Sequence, residues 1–225
     1  MKIISVIGSP HGMKGVAGSI VNCMKEAAQG AGAVTEIICL TDFLVKPCKG
    51  CRMCSKTGQC VINDDYGNVK KALLEADGII LASPNYMYNV SAQMKAFLDR
   101  SFSMCHCQML KGRYGAAVVT SGGPVFEMVE QYLVNTLGLF GCWTVGSICA
   151  VELLLDHEDE RTRIMREASD LGSRMVKCIR NKEVFPDQEQ VLQRIFEEAK
   201  MVVEVYKEEW TYEYEYWKSH WGLKE

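Results

Sequence analysis

The chain has 225 residues, 48% of them hydrophobic, and a formal charge of −3 with both signs interspersed. That length suits one α/β domain with an extension; the charge offers no basic face for nucleic acid, and no apolar run is long enough for a membrane span. Eleven cysteines behind an N-terminus, MKIISVIGSPHG, that lacks the pattern of a signal peptide lead us to expect a reducing, cytoplasmic setting.

Lys2 to Ile7 is a β-branched run followed by Gly8-Ser9-Pro10-His11-Gly12 and then a helical pattern from about Val16 to Gly30. Strand, small-residue turn and helix make half of a βαβ unit. Val34 to Leu40 reads as the next strand, and Asp64-Asp65 leads into a helix through Val69, Leu73 and Leu74. Gly78 to Ala82 is apolar throughout, as a strand covered on both faces is. Ser91 to Met104 reads as one helix, Tyr114 to Thr120 as strand four, and Ser121-Gly122-Gly123-Pro124 as the opening of a helix to about Leu139. Trp143 to Val151 is strand five, and a helix from about Glu158 to Arg180 closes the domain. This alternation predicts a parallel sheet with helices on both faces. Cys23, Cys39, Cys142, Cys149 and Cys178 fall within these apolar segments and read as small core residues.

The polar stretch Asn181 to Glu189 reads as a linker, with the domain ending near residue 182 and an arm occupying 183–225. In the arm, Leu192, Ile195, Phe196, Ala199, Val202, Val203, Tyr206 and Trp210 recur at helical spacing. A single helix from Gln188 to about Trp217 would be about 45 Å long. Its apolar stripe, and the aromatic run after it, predict a subunit arm in a homodimer or homotetramer, because aromatic side chains are enriched at interfaces. The alternative is a helix packed on its own domain.

The densest chemistry lies in KPCKGCRMCSKTGQC, residues 46–60, where Cys48, Cys51 and Cys54 are spaced C-x2-C-x2-C and Cys60 follows after five residues. A short loop with Gly50 and Gly58 can fold so that four sulfurs face one centre. The spacing ranks an iron–sulfur cluster first, zinc second and free thiols third. Lys46, Lys49, Arg52 and Lys56 would offset the charge of an anionic centre or merely serve solubility. Cys105-His106-Cys107 cannot readily share one metal, since the three are consecutive.

Ligands of open parallel sheets bind beyond the carboxyl ends of the strands, where strand order reverses. Three strand-end loops fit: SPHGMKGVAGS (9–19), whose hydroxyls and helix-terminal amides suit a phosphate; SPNYMYNVS (83–91), with Tyr86, Met87 and Tyr88 for a planar ring; and TSGG (120–123). The first lacks both the dinucleotide glycine fingerprint and the P-loop lysine, which favours a mononucleotide.

The stretches GSPHG, PCKGCRMCSKTGQCVINDD and ADGIILASPNYMYNVSAQMKAFLDR resemble the iron–sulfur flavoproteins, a branch of the NAD(P)H-dependent FMN reductase family with a flavodoxin-like fold. The resemblance covers roughly residues 1–182. It implies a five-stranded sheet of order 2-1-3-4-5, with FMN held by Ser9, His11, Met13, Gly18 and Ser19 around the phosphate. Pro84, Asn85, Tyr86, Met87, Tyr88 and Asn89 would contact the flavin ring, and Ser121, Gly122 and Gly123 would form the third flavin loop. It also implies a [4Fe-4S] cluster on Cys48, Cys51, Cys54 and Cys60. Gly18-Ser19 stands where relatives have Asn-Thr, and the aromatic tail lies outside the shared pattern. No side-chain acid or base stands out, as expected where a flavin carries the chemistry. The implied function is an FMN-dependent oxidoreductase passing electrons from NAD(P)H or a ferredoxin-like donor to a small-molecule or protein acceptor. The alternatives are a cluster-free NAD(P)H:FMN or quinone reductase and, from another class, a flavodoxin-like carrier or a zinc-stabilised binding module.

Overall fold

A computed structural model describes residues 1–223. Five parallel strands, β1 (Lys2–Ile7), β2 (Val34–Cys39), β3 (Gly78–Pro84), β4 (Tyr114–Ser121) and β5 (Trp143–Val151), lie in the order β2-β1-β3-β4-β5. This is the flavodoxin-like order anticipated above, and it reverses direction between β1 and β3. Alternate residues of each central strand feed two cores. Ile3, Ile7, Ile80 and Val118 face α1 (Val16–Gly30) and α7 (Glu158–Asn181). Ile4, Val6, Ile79, Leu81 and Val119 face the other layer, α3 (Tyr66–Leu74), α4 (Ala92–Arg100) and α6 (Glu127–Leu139). All of β3 and β4 is buried, which explains why their sequences are apolar without alternation. Of the five cysteines read as core, Cys39, Cys142 and Cys178 are buried and Cys23 and Cys149 partly so.

Several boundaries differ from the sequence reading. The helix expected from Ser91 to Met104 is two, α4 and α5 (Phe102–His106), broken at Ser101. The Ser101 hydroxyl donates to the Phe97 carbonyl (2.9 Å), offering the backbone a local alternative to the helix. Ser121 ends β4 instead of opening a helix; α6 starts at Glu127. The linker is shorter than 181–189, because α8 (Pro186–Val205) begins at Pro186, whose fixed φ suits a first helical turn.

The arm is the largest correction. It is two helices, α8 and α9 (Thr211–Trp221), separated by a turn at Tyr206 to Trp210. The chain reverses there, and α9 packs back against α8 and the domain. Ala199, Val203, Trp217 and Leu223 form a cluster of their own with Phe196 and Trp221 against it, and Trp210 is buried between His106 and Tyr206 in a stack of rings. Its own chain thus covers much of the stripe expected to need a second subunit. Gln188 does further work at the start of α8: its side-chain amide donates to the Thr144 carbonyl (2.8 Å) and accepts from the Thr144 N–H (2.9 Å), capping the open edge of β5. Among the described residues no helix is long and apolar enough to cross a membrane.

Candidate functional site

The three loops meet at the carboxyl edge of the sheet, beside the β1/β3 switch point. They are pinned to one another by two serine hydroxyls, one on β3 and one capping α4, and by a backbone bond. Ser91 Oγ donates to the Gly8 carbonyl (2.5 Å) while accepting from Met94 N–H at the start of α4 (3.1 Å). Ser83 Oγ accepts from Ser91 N–H (3.0 Å), and Asn85 N–H donates to the Thr120 carbonyl (2.7 Å). The three loops therefore hold a fixed spacing around a cavity of 420 Å³.

Ser9, His11, Pro84, Asn85, Tyr86, Ser121 and Gly122 line this cavity, as do Lys14, Gly15, Val16 and Thr120 from the same loops and Glu152 from outside them. Lys14 had no role of its own assigned within the first loop, and Glu152 directly follows strand five. Met13, Gly18, Ser19, Met87, Tyr88, Asn89 and Gly123 stand outside the lining. Met13 borders a separate hollow with Cys39, Thr41 and Asp42, and Ser19 is exposed, its hydroxyl donating back to the Gly15 carbonyl (3.4 Å). Tyr86 and Asn89 close a tight turn through paired backbone bonds (2.8 and 3.1 Å), with Met87 and Tyr88 both left-handed at its tip. Met87 is 92% exposed there. A larger groove of 960 Å³ between α6, β5 and α8 includes none of the three loops.

Two features show what the cavity can accept. The N-terminus of α1 has Gly15 as its cap and no side chain bonded to its first amides, so those amides and the exposed Lys14 suit an anion. Asn85 donates through Nδ2 to Ser121 Oγ (3.3 Å) and to the Val125 carbonyl, while its buried Oδ1 has no donor. A buried acceptor left open calls for a ligand N–H or O–H. A phosphate-bearing planar ligand such as FMN fits both.

The cysteine loop leaves the same edge of the sheet after β2, and its base is stapled shut. Asp65 Oδ2 accepts from Leu44 N–H (2.7 Å), and Asp64 Oδ2 from Lys46 N–H (2.9 Å). Arg100, at the end of α4, grips Asp64 with two N–H···O bonds (2.8 and 3.0 Å) and also donates to the Lys46 carbonyl (2.9 Å). Both side chains are at most 1% exposed. Burial alone would raise the Asp64 pKa, but Arg100 and the Lys46 and Tyr66 amides outweigh it and hold the carboxyl below its usual range.

Beyond the staple, α2 (Met53–Thr57) forms a short turn of helix that the sequence did not suggest. Cys48 and Cys51 are exposed, Cys54 and Cys60 partly buried, and none is in a disulfide. The expectation that all four sulfurs face one centre is not met: among the described residues no three His, Cys, Asp or Glu side chains gather as a metal site. The physical reason is that thiols gain little from meeting one another; only a shared cation rewards their convergence. The chemistry of the donor set still suits a soft metal or cluster. All four are free thiols, Cys54 and Cys60 lie close enough to influence each other, and half-buried Lys70 acts electrostatically on both while buried Arg100 acts on Cys60. Burial pushes the Cys54 thiol up, with Glu213 and Cys60 adding to it. Lys46, Lys49, Arg52 and Lys56 are all exposed.

The arm closes over this loop. Thr211 Oγ1 donates to the Lys56 carbonyl (3.0 Å), and the Tyr212 ring lies where a Cβ on Gly58 would stand, 2.5 Å away, so only glycine serves at that left-handed position. Glu213 is fully buried; Oε2 meets His106 Nδ1 at 3.0 Å, and Oε1 has no partner. Trp217 and Trp221 donate through their indole N–H to the carbonyls of His106 and Cys107 (2.8 and 3.0 Å). The Cys105-His106-Cys107 triplet is thus the seat of the arm.

The profile of the NADPH-dependent FMN reductase family matches residues 1–153. An iron-sulfur flavoprotein of Archaeoglobus fulgidus is 29% identical over 97% of this chain and 98% of its own. One of Methanocaldococcus jannaschii is 42% identical over 52% of this chain, a match spanning 61% of that relative. Among solved structures, an NADH:FMN oxidoreductase, EMOB, superposes with a TM-score of 0.62 at 17% identity, covering 83% of this chain and 92% of its own. An FMN-dependent NADH-azoreductase of Bacillus anthracis, in complex with FMN, gives 0.61 at 14% identity, covering 78% and 100%. Both structural likenesses concern the fold.

Proposed function

Because the chain belongs to the NADPH-dependent FMN reductase family and is an FMN-dependent oxidoreductase, we propose that it takes electrons from NAD(P)H or a ferredoxin-like donor and passes them to a small-molecule or protein acceptor through a [4Fe-4S] cluster on Cys48, Cys51, Cys54 and Cys60. The observation that carries this reading is the placement of two sites on one sheet edge. One is a cavity with an open amide acceptor and an uncapped helix N-terminus; the other is a stapled loop of four free thiols.

When bound, the flavin supplies the two-electron to one-electron interchange. The chain's own residues bind and orient it. Ser9, Lys14 and the first amides of α1 would hold the phosphate. Asn85 Oδ1 would accept from the polar edge of the ring, with Tyr86 beside it, and Ser121 and Gly122 would close the third side. The relatives named iron-sulfur flavoproteins support the cluster. The second reading is a cluster-free NAD(P)H:FMN or quinone reductase, which would use the flavin site alone.

The deciding experiment is anaerobic purification with iron, sulfide and zinc analysis and a visible spectrum, run beside Cys51→Ala. Loss of iron and sulfide in that variant with FMN retained supports the cluster; iron and sulfide absent from the wild type, with pyridine-nucleotide turnover intact, establishes the cluster-free reading. Ser9→Glu, which sets a carboxylate against the phosphate, is expected to abolish tight FMN binding, and unchanged affinity by fluorescence titration would place the phosphate elsewhere.

A further inference from the structure

Arg100 is a costly residue to bury, and the Asp64 pair explains only part of it. Its fork spends donors on the Asp64 carboxylate and the Lys46 carbonyl. These bonds join the two ends of the cysteine loop, 18 residues apart. The guanidinium also sits over the Tyr66 ring at 4.6 Å, which fixes its plane. Yet Nε–H, in a side chain 1% exposed, has no acceptor. Besides Asp64, Cys60 is the group that acts electrostatically on this guanidinium. A buried donor without a partner is a standing cost, and a metal-bound Cys60 sulfur would be a stronger acceptor for it than the weak one a thiol offers. Lys70, half-buried on α3 and bonded to Ser103 Oγ (3.2 Å), adds a second cation within electrostatic reach of Cys54 and Cys60.

We propose that Arg100 is the positioning residue of the cysteine centre: it closes the loop at its base through Asp64 and Lys46 and keeps a buried N–H donor in reserve for the Cys60 sulfur. The inference rests on the reading that the four cysteines hold a metal centre. Hydrogen bonds to ligand sulfurs and nearby positive charge raise a cluster's potential, so Arg100 would govern redox poise as well as loop shape.

The test uses the whole chain with FMN bound. Arg100→Gln alone would strand the Asp64 charge, so the variant is Arg100→Gln with Asp64→Asn, a neutral pair that keeps hydrogen bonds at the base. Wild type and variant are reconstituted with iron and sulfide, and the potential is read by EPR-monitored titration. The expected result is at least a tenfold fall in electron affinity, 59 mV for a one-electron couple, at unchanged FMN content. A potential within about 10 mV of the wild type overturns the proposal, since a purely structural role would leave a loaded centre's potential alone. If the variant takes no cluster, cobalt(II) titration of the cluster-free proteins decides: thiolate bands at tenfold weaker affinity support the assignment, and equal affinity overturns it. If the wild type itself takes no iron or sulfide, the cluster reading fails, and the same cobalt comparison still judges Arg100.

Discussion

Gly18→Ala probes how the first loop is built. Gly18 lies in the first turn of α1. A Cβ there would stand 2.6 Å from both the Gly12 carbonyl oxygen and the Met13 Cα, and 2.7 Å from the Met13 carbonyl oxygen. These are backbone atoms of the turn that carries His11 and Lys14 to the cavity, so no side chain can swing aside. Ordinary contact begins at 3.4 Å, so the turn must retreat by about 0.8 Å, the difference between that and 2.6 Å. Overpacking of this kind costs about 1–3 kcal/mol, while alanine gains about 1 kcal/mol over glycine inside a helix. The net is a loss of up to about 2 kcal/mol. A methyl group on Gly30, at the far end of the same helix, would meet nothing within 4 Å, so Gly30→Ala keeps the gain alone. The two substitutions therefore carry opposite signs in one helix. Because the displaced turn borders the cavity, we also expect FMN to bind at least tenfold more weakly to Gly18→Ala, about 1.4 kcal/mol. Urea unfolding and flavin fluorescence titration read both effects. A Gly18→Ala protein as stable as Gly30→Ala, with FMN affinity within twofold of the wild type, refutes the reasoning.

Three further outcomes are expected. Asp64→Asn strands the Arg100 charge and costs about 3–5 kcal/mol at pH 7; since the folded Asp64 pKa lies below its unfolded value, the wild type keeps this advantage above about pH 4 and loses it as pH falls through the folded pKa. Urea melts at pH 7 and pH 3 should show the gap closing, and a constant gap counts against the staple. Trp217→Ala removes a side chain 1% exposed together with its bond to the His106 carbonyl, a loss of about 3–5 kcal/mol. The arm is expected to open locally, with faster amide exchange over 211–221 and little change in the domain's own transition; unaltered exchange there would show that Trp217 does not hold the arm. Gln188→Ala deletes both bonds to Thr144 and should cost about 1–3 kcal/mol in urea unfolding, whereas an unchanged midpoint means the β5 edge needs no cap.

The sequence by itself determined the sheet. Runs such as Ile3 to Ile7 and Gly78 to Leu81 are apolar at every step or nearly so, and a segment buried on both faces can say so without help from the rest of the chain. The loops at strand ends were legible for the same reason: Ser9, Asn85 and Ser121 follow directly from where the apolar runs stop, and a parallel sheet brings such positions to one edge. The cysteine spacing was equally plain, because ligand sets of this kind are local in sequence.

Only the tertiary structure decided what depends on distant partners. Nothing in the sequence singles out Arg100; its role at the base of the cysteine loop comes from Asp64, 36 residues away. Glu152 reaches the cavity from beyond strand five, a strand end outside the three loops named from the sequence. The arm shows the limit most directly. Its helical periodicity runs through Tyr206 to Trp210, and nothing local forbids a straight helix there. The turn forms because Glu213, Trp217 and Trp221 find a seat on residues 105–107 that only the folded domain presents. Periodicity records which face a helix will bury, whereas the surface that buries it is assembled from the rest of the fold.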